Sequence, residues 1–419
     1  MNNKRSTVII AGISGNVLEW YDFAVYGYFA LTIGKHFFPS NDPTTSVIAA
    51  FGAFAAGFLM RPVGSLFFGH LGDKLGRKQA LTLSVMLMAI PTFCLGLLPT
   101  YDQIGPAAAV LLVLLRMLQG LSVGGEYTTS ITFLAEHSRP ERRGFFCSWG
   151  VWGANAGILL GSGVAALVST TMSAEAALAW GWRLPFLGGI LIGIVGLYIR
   201  HGISEPETGT PRSGSPLLES FRYHWRDLLR ISVLVIVLAV AFYMIFVYVA
   251  TWLQEMVHVD KARALDINTL VMASMLIIIP VGAILSDRIG RKPILWVTIG
   301  GLALFSYPLF QLMHHQDSNM ILLGQLGFAL FVGLLAGVLP ATMAELAPAR
   351  VRVTVMSVGY NLTFAVFGGT APMVSAYLIK STHVDLSPAI YLSIAAVISL
   401  LVVFTLKETA GIKLHGAET

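Results

Sequence analysis

The stretch GNVLEWYDFAVYG, residues 15–27, places Glu19 and Asp22 inside an otherwise apolar run. Their i, i+3 spacing puts both carboxylates on one face of a helix. Acids in such surroundings can bind and release a proton, or hold a cation. The same kind of anomaly recurs at Arg61 in LMRPVG, Arg116 in LLRMLQG and Glu126 in SVGGEYT. An ionisable side chain at the centre of a helix in hydrocarbon costs at least about 2.5–3.5 kcal/mol, which makes each of the five a functional candidate.

What must position these residues is read from the whole chain. Its 419 residues are 55% hydrophobic and 12% charged, about half the charge of a soluble domain. Apolar runs long enough to cross a bilayer recur throughout, about twelve in all, six on either side of a polar break. The chain is therefore expected to be an all-α polytopic membrane protein with twelve transmembrane helices in two pseudo-symmetric six-helix bundles. The expected divisions are 1–200 for the first bundle, 201–230 for a linker with an interfacial helix, 231–407 for the second bundle and 408–419 for a short tail. A net charge of +5 would point to nucleic acid in a soluble protein. Here Lys and Arg gather in alternate loops, which accounts for the excess without such a partner and predicts a cytoplasmic linker and two cytoplasmic termini. Cys94 and Cys147 form neither a disulfide framework nor a metal spacing. GISGN near the start lacks the lysine of a phosphate loop, so no nucleotide cofactor is expected.

The two halves repeat. GHLGDKLGRK (69–78) is matched by AILSDRIGRK (283–292), and AEHSRPERRG by AELAPARVRV, both at about 210 residues' separation. In the second motif Glu136 precedes Arg143, and Glu345 precedes Arg352, by the same interval. Parallel six-helix halves of this kind are a known transporter architecture. The charges of these loops, Asp73, Arg77, Lys78, Glu136 and Arg143 with Asp287, Arg291, Glu345 and Arg352, read as an ion-pair latch at one membrane edge.

At these residues the chain resembles the major facilitator superfamily and, within it, the metabolite:proton symporter family. The matching stretches are GNVLEWYDFAVYG, RPVGSLFFGHLGDKLGRK, LLRMLQGLSVGGEYTTS, AEHSRPERRGFFCSW and WGWRLPF. The nearest likeness within the family is to proton-coupled proline/betaine transporters. The resemblance implies a monomeric multi-pass protein of the bacterial inner membrane that moves a small organic solute with protons by alternating access, driven by the proton gradient and needing no cofactor. Osmoregulatory members carry a C-terminal extension, often of coiled-coil character, whereas here KETAGIKLHGAET follows the last span. The substrate stays open among proline or betaine, di- and tricarboxylates, 2-oxoglutarate and aromatic acids.

The resemblance also implies that the first and fourth helices line a central cavity. Asp22 lies roughly 20 Å from one side of the membrane and Arg116 roughly 15 Å from the other, at 1.5 Å per residue, so the two should pair. A solute carboxylate that takes Arg116 would leave the acid unpartnered and ready to accept a proton; a static packing pair is the alternative. Glu19 and Glu126 are the further proton-coupling candidates, with Asn155 a neighbour for Glu19 and Glu126 a gate partner for Arg61. Arg116, Tyr21, Arg61, Gln119, Tyr127 and Asn155 are the solute-binding candidates of the first half. Tyr243, Tyr248, Trp252, Tyr360 and Asn361 are those of the second, whose spans carry aromatic and amide groups rather than charge. A proton antiporter that exports drugs or metabolites is the alternative function. Against it, GANAGILLGSG lacks the proline of the exporters' motif.

Overall fold

A computed structural model describes residues 16–17, 19–67, 77–124, 126–136, 138–201 and 216–414. No strand occurs among them. Among the described residues twelve helical rods follow one another, with short helices between some of them. The first half contains α1 (19–28, continuing as Ala30–Phe37), α2 (Pro43–Phe67), α3 (Arg77–Leu97), α4 (Ala107–Ser122 and Glu126–Glu136), α5 (Pro140–Thr171) and α6 (Arg183–His201). The second half contains α7 (Trp225–Met256), α8 (Lys261–Ile289), α9 (Arg291–Met313), α10 (Ser318–Leu346), α11 (Ala349–Thr382) and α12 (Ser387–Thr405). Among the described residues eight of these are long and apolar enough to cross a membrane, and a bent pair, Ala174–Gly181 with Arg183–Val195, makes a ninth. In α3 and α4 the apolar stretches are shorter, Thr82–Leu97 and Ala107–Ser122. A short helix, Pro216–Tyr223, leads into α7.

Polar residues set the helix ends. Asp42, Asp260 and Asp317 accept from backbone N–H groups in the first turns of α2, α8 and α10, satisfying donors that otherwise have no partner. Gly290 turns the chain between α8 and α9 at φ 107°, a conformation that suits glycine. Leu304, Ile277 and Phe404 point outward and are largely exposed, as side chains facing lipid must be. By contrast α7 is apolar all round and 94% of its most hydrophobic window is buried, which makes it an interior helix.

Two features of the packing prepare the site. First, α2 and α4 lie backbone against backbone: a Cβ on Gly120 would overlap the Gly57 carbonyl oxygen, and one on Gly64 that of Leu121. Small residues permit this approach, and Arg61 and Arg116 sit on the joined helices. Glycines of α5 do the same against α1, with Gly157 on Val17 and Gly161 on Tyr21 and Ala24. Second, α7 and α11 each contain a single π-helical turn, Met244–Tyr248 and Phe364–Gly368. Such turns often mark functional positions. The first follows Tyr243 directly and the second begins at Phe364.

Candidate functional site

Asp22 meets Arg116 in the interior of the first half. Arg116 Nη1 lies 2.6 Å from Asp22 Oδ2, with the side chains 0% and 1% exposed. Gln119, one turn after Arg116 on the same face of α4, accepts from Arg116 Nη1 at 2.7 Å and donates to Asp22 Oδ1 at 2.8 Å. Thr92 Oγ1 of α3 is 2.7 Å from Asp22 Oδ1 and also within reach of the Met88 carbonyl. The guanidinium lies over the rings of Tyr26, Phe23 and Phe54, 4.5, 4.8 and 5.5 Å from their centroids. Each such contact contributes about 0.5–2 kcal/mol. Three helices thus converge on one carboxylate, which is hydrogen-bonded on both oxygens, and α2 adds the Phe54 ring.

A second, looser pair lies one turn earlier on α1. Arg61 Nη2 stands 3.6 Å from Glu19 Oε1, with the arginine wholly buried. No nitrogen of Arg61 makes a well-formed hydrogen bond, although the Tyr243 hydroxyl lies beside the guanidinium. Its guanidinium instead lies 5.2 Å from the Phe58 ring centroid and 6.0 Å from that of Trp20. Around it the two halves meet through aromatic faces. Trp20 stacks on Tyr243 at 6.1 Å and meets Phe242 and Phe364 edge-on. Tyr127 stacks on Tyr360 at 4.7 Å, and Tyr360 on Phe364 at 4.1 Å. Phe23 and Phe58, in contact at 4.5 Å, link the two arginine environments.

At one end of the molecule the repeated loop motifs exchange partners. Arg143 donates to Glu345 at 2.9 Å, and Arg352 to Glu136 at 2.6 Å. Arg291 joins Glu345 to Asp287, and Asp287 accepts from the backbone N–H groups of Gly144 and Phe145. The segment after α12 closes over this network. Thr409 donates to Glu345, Arg143 donates to the Ile412 carbonyl, and Glu408 accepts from the N–H groups of Arg291 and Lys292. Burial works against the Glu408 charge, but the four N–H groups aimed at it outweigh that and hold its carboxyl below the usual range. The opposite end is joined as well. Lys380 pairs with Asp42 at 2.5 Å, and Tyr28 donates to the Phe246 carbonyl. The buried layer therefore lies between contacts at both ends, where the sequence pointed to a latch at one.

Several sequence candidates lie elsewhere. Tyr21, one position from Asp22 and so on another face of α1, donates to the Pro185 carbonyl. Asn155 donates to the Met272 carbonyl rather than to Glu19. Asn361 donates to the Gly124 carbonyl. Tyr248 meets Phe51 edge-on. Trp252 donates to the Asp385 carbonyl and packs on Phe310, because the π-turn and the helical turn after it carry it away from Tyr243. Asp73 and the side chains of Arg77, Lys78 and Glu126 lie outside the described residues. Sequence reasoning missed Thr92, Trp20, Phe58 and Phe364 as members of the site. Isolated threonines and aromatics are ordinary in apolar helices, and only Trp20, between the two acids, carried any signal.

The profile of the Major Facilitator Superfamily matches residues 13–372 and again 257–417. The chain belongs to that superfamily, and it is a transporter rather than an enzyme. It is 41% identical to the glycine betaine/proline/ectoine/pipecolic acid transporter OusA of Dickeya dadantii, over 98% of this chain and 84% of that one. It is 40% identical to the proline/betaine transporter of Salmonella typhimurium, over 99% and 86% of the two chains. Among solved structures it is similar to the proton:xylose symporter XylE bound to 6-bromo-6-deoxy-D-glucose, with TM-score 0.78 at 16% identity, covering 99% of this chain and 98% of that one. The fold is accordingly the twelve-helix membrane fold of two six-helix bundles.

Proposed function

We propose that this transporter is a proton-coupled symporter that takes up a small carboxylate-bearing solute, a zwitterion of the proline or betaine type, by alternating access. The observation that carries the reading is the buried Asp22–Arg116–Gln119–Thr92 cluster. Asp22, Glu19, Arg61 and Arg116 cancel in charge while all four are ionised. A proton on Asp22 leaves one buried positive charge in excess, a costly state in a low dielectric. A zwitterion adds no net charge, but its carboxylate end placed among the two guanidiniums offsets the excess locally, so proton and solute enter together more readily than either alone. The substrates named for the relatives, proline and betaines among them, all carry a carboxylate and fit this logic.

The cross-half pairs Arg143–Glu345, Arg352–Glu136 and Lys380–Asp42 are the contacts that would break in turn as each end opens. The placement of Lys and Arg supports a bacterial inner-membrane protein with the Glu345 end, the linker and both termini in the cytoplasm. The decisive test is the sign of coupling. Solute added outside energised vesicles should alkalinise the outer medium, and acidification would make the chain an antiporter instead.

A further inference from the structure

Arg61 is held in an unusual way for a buried arginine. The tighter pair nearby shows the contrast: Arg116 reaches its carboxylate at 2.6 Å and is braced by Gln119. Arg61 stands off Glu19 at 3.6 Å, and none of its three nitrogens makes a well-formed hydrogen bond although the residue is 0% exposed. A guanidinium normally binds a carboxylate through two parallel hydrogen bonds. The hydroxyl of Tyr243, on the facing half, is also buried and without a well-formed hydrogen bond. The walls are the faces and edges of Trp20, Phe58, Tyr243 and Phe364, surfaces that attract a cation by their ring quadrupoles.

We infer that Glu19 and Arg61 form a split receptor for one zwitterion, and that Arg61 stands in for the solute's cationic nitrogen when no solute is bound. On binding, the nitrogen takes the place beside Glu19 and against Trp20 and Tyr243. The displaced guanidinium then binds the carboxylate of the same solute with the bidentate geometry it now lacks. A buried pair is replaced by two pairs, and no charge is left uncompensated. An alkylated ammonium suits the site because it needs few hydrogen bonds and gains from aromatic faces. The inference rests on the proposal that the chain transports a small solute, and it names the part of the site that recognises both ends.

The test uses the purified full-length protein and three probes: glycine betaine, 3,3-dimethylbutyrate (the same shape without the cation) and choline (the cation without the carboxylate). Binding is read by calorimetry and by thermal shift. Wild type should bind glycine betaine at least about tenfold more tightly than 3,3-dimethylbutyrate, the worth of one desolvated cation–π contact, and more tightly than choline, which offers Arg61 no carboxylate. The Glu19→Gln variant should bind glycine betaine more weakly and 3,3-dimethylbutyrate at least as tightly as wild type does, since Arg61 no longer has to leave an acid, so that the preference disappears. Trp20→Phe should narrow it in the same direction with little risk to folding. Arg61→Gln should weaken both carboxylates alike and spare choline. A preference that survives Glu19→Gln and Trp20→Phe overturns the inference, as does a wild type that prefers a dicarboxylate to every zwitterion. Proton-driven accumulation of glycine betaine by wild-type vesicles, measured alongside, separates the two readings: if it occurs while the preference ignores Glu19, only the receptor assignment falls. If no solute moves with protons, the symport proposal falls with it.

Discussion

Arg143 of the first half donates to Glu345 of the second at 2.9 Å, and its sequence counterpart Arg352 returns the contact to Glu136 at 2.6 Å. A duplication thus supplied each half with an acid and a base that pair across the interface. Glu345→Gln should open this end, because it removes the carboxylate paired with Arg143 and leaves Arg291 with Asp287 alone, at a cost of about 3–5 kcal/mol. Cys147, fully buried beside this network, is a native reporter. In a Cys94→Ser background its labelling by a soluble maleimide should accelerate at least about tenfold.

Asp22→Asn should abolish accumulation driven by a proton gradient while counterflow exchange of solute persists. The amide keeps the shape and the contact to Thr92 but cannot carry the exchangeable proton. An Asp22→Asn variant that still concentrates solute would remove Asp22 from the coupling mechanism.

Arg116→Lys should lower apparent solute affinity by at least about tenfold. A lysine keeps the charge but cannot face Asp22, reach Gln119 and lie flat on Tyr26 and Phe23 at once. Arg116→Gln should be worse, since Asp22 is then left buried and unpaired. The two variants are ranked by concentration dependence of uptake.

The Lys380–Asp42 contact should not respond to the pH of the surrounding medium in the physiological range. The Lys380 ammonium, bonded to the carboxylate, holds Asp42 down to about 2 from its usual 3.8. A depressed acid contributes its stabilisation above the usual value and loses it only as the pH falls toward the lowered one. Asp42→Asn should therefore change the accessibility of this end equally at about pH 5.5 and about pH 7.5, both above that window, as read by labelling of a cysteine placed nearby. A difference between the two would mean that the pair, or a carboxylate coupled to it such as Glu255, titrates in this range.

The sequence disclosed the twelve spans and their duplication because hydropathy and loop motifs are local signals. It also disclosed the acids and arginines of the interior, because charge in hydrocarbon is conspicuous. Depth, together with a resemblance that places the first and fourth helices on one cavity, brought Asp22 to Arg116. Depth did not reveal that Arg61 faces Glu19, since both Glu19 and Glu126 stood within plausible reach. The aromatic walls were legible only as composition. Trp252 and Tyr243 read alike in FYMIFVYVATW, and the three-dimensional path of α7, with its π-turn, decides which of them meets Trp20. The role of Glu408 and Thr409 was invisible, because the tail folds back onto partners distant in the chain, such as Glu345, 64 residues before Thr409.

Where Gly57 and Gly120 touch, there is no room for even a methyl group between α2 and α4. Two backbones in such contact cannot slip past one another by a fraction of a turn without first being prised apart. The pair of helices is mechanically one plate, with a guanidinium mounted on each leaf. Any rigid motion that carries Arg116 relative to the second half carries Arg61 with it. Events at Asp22 and at Glu19 are then yoked by rigidity, and information passes between them without a relay of intervening bonds.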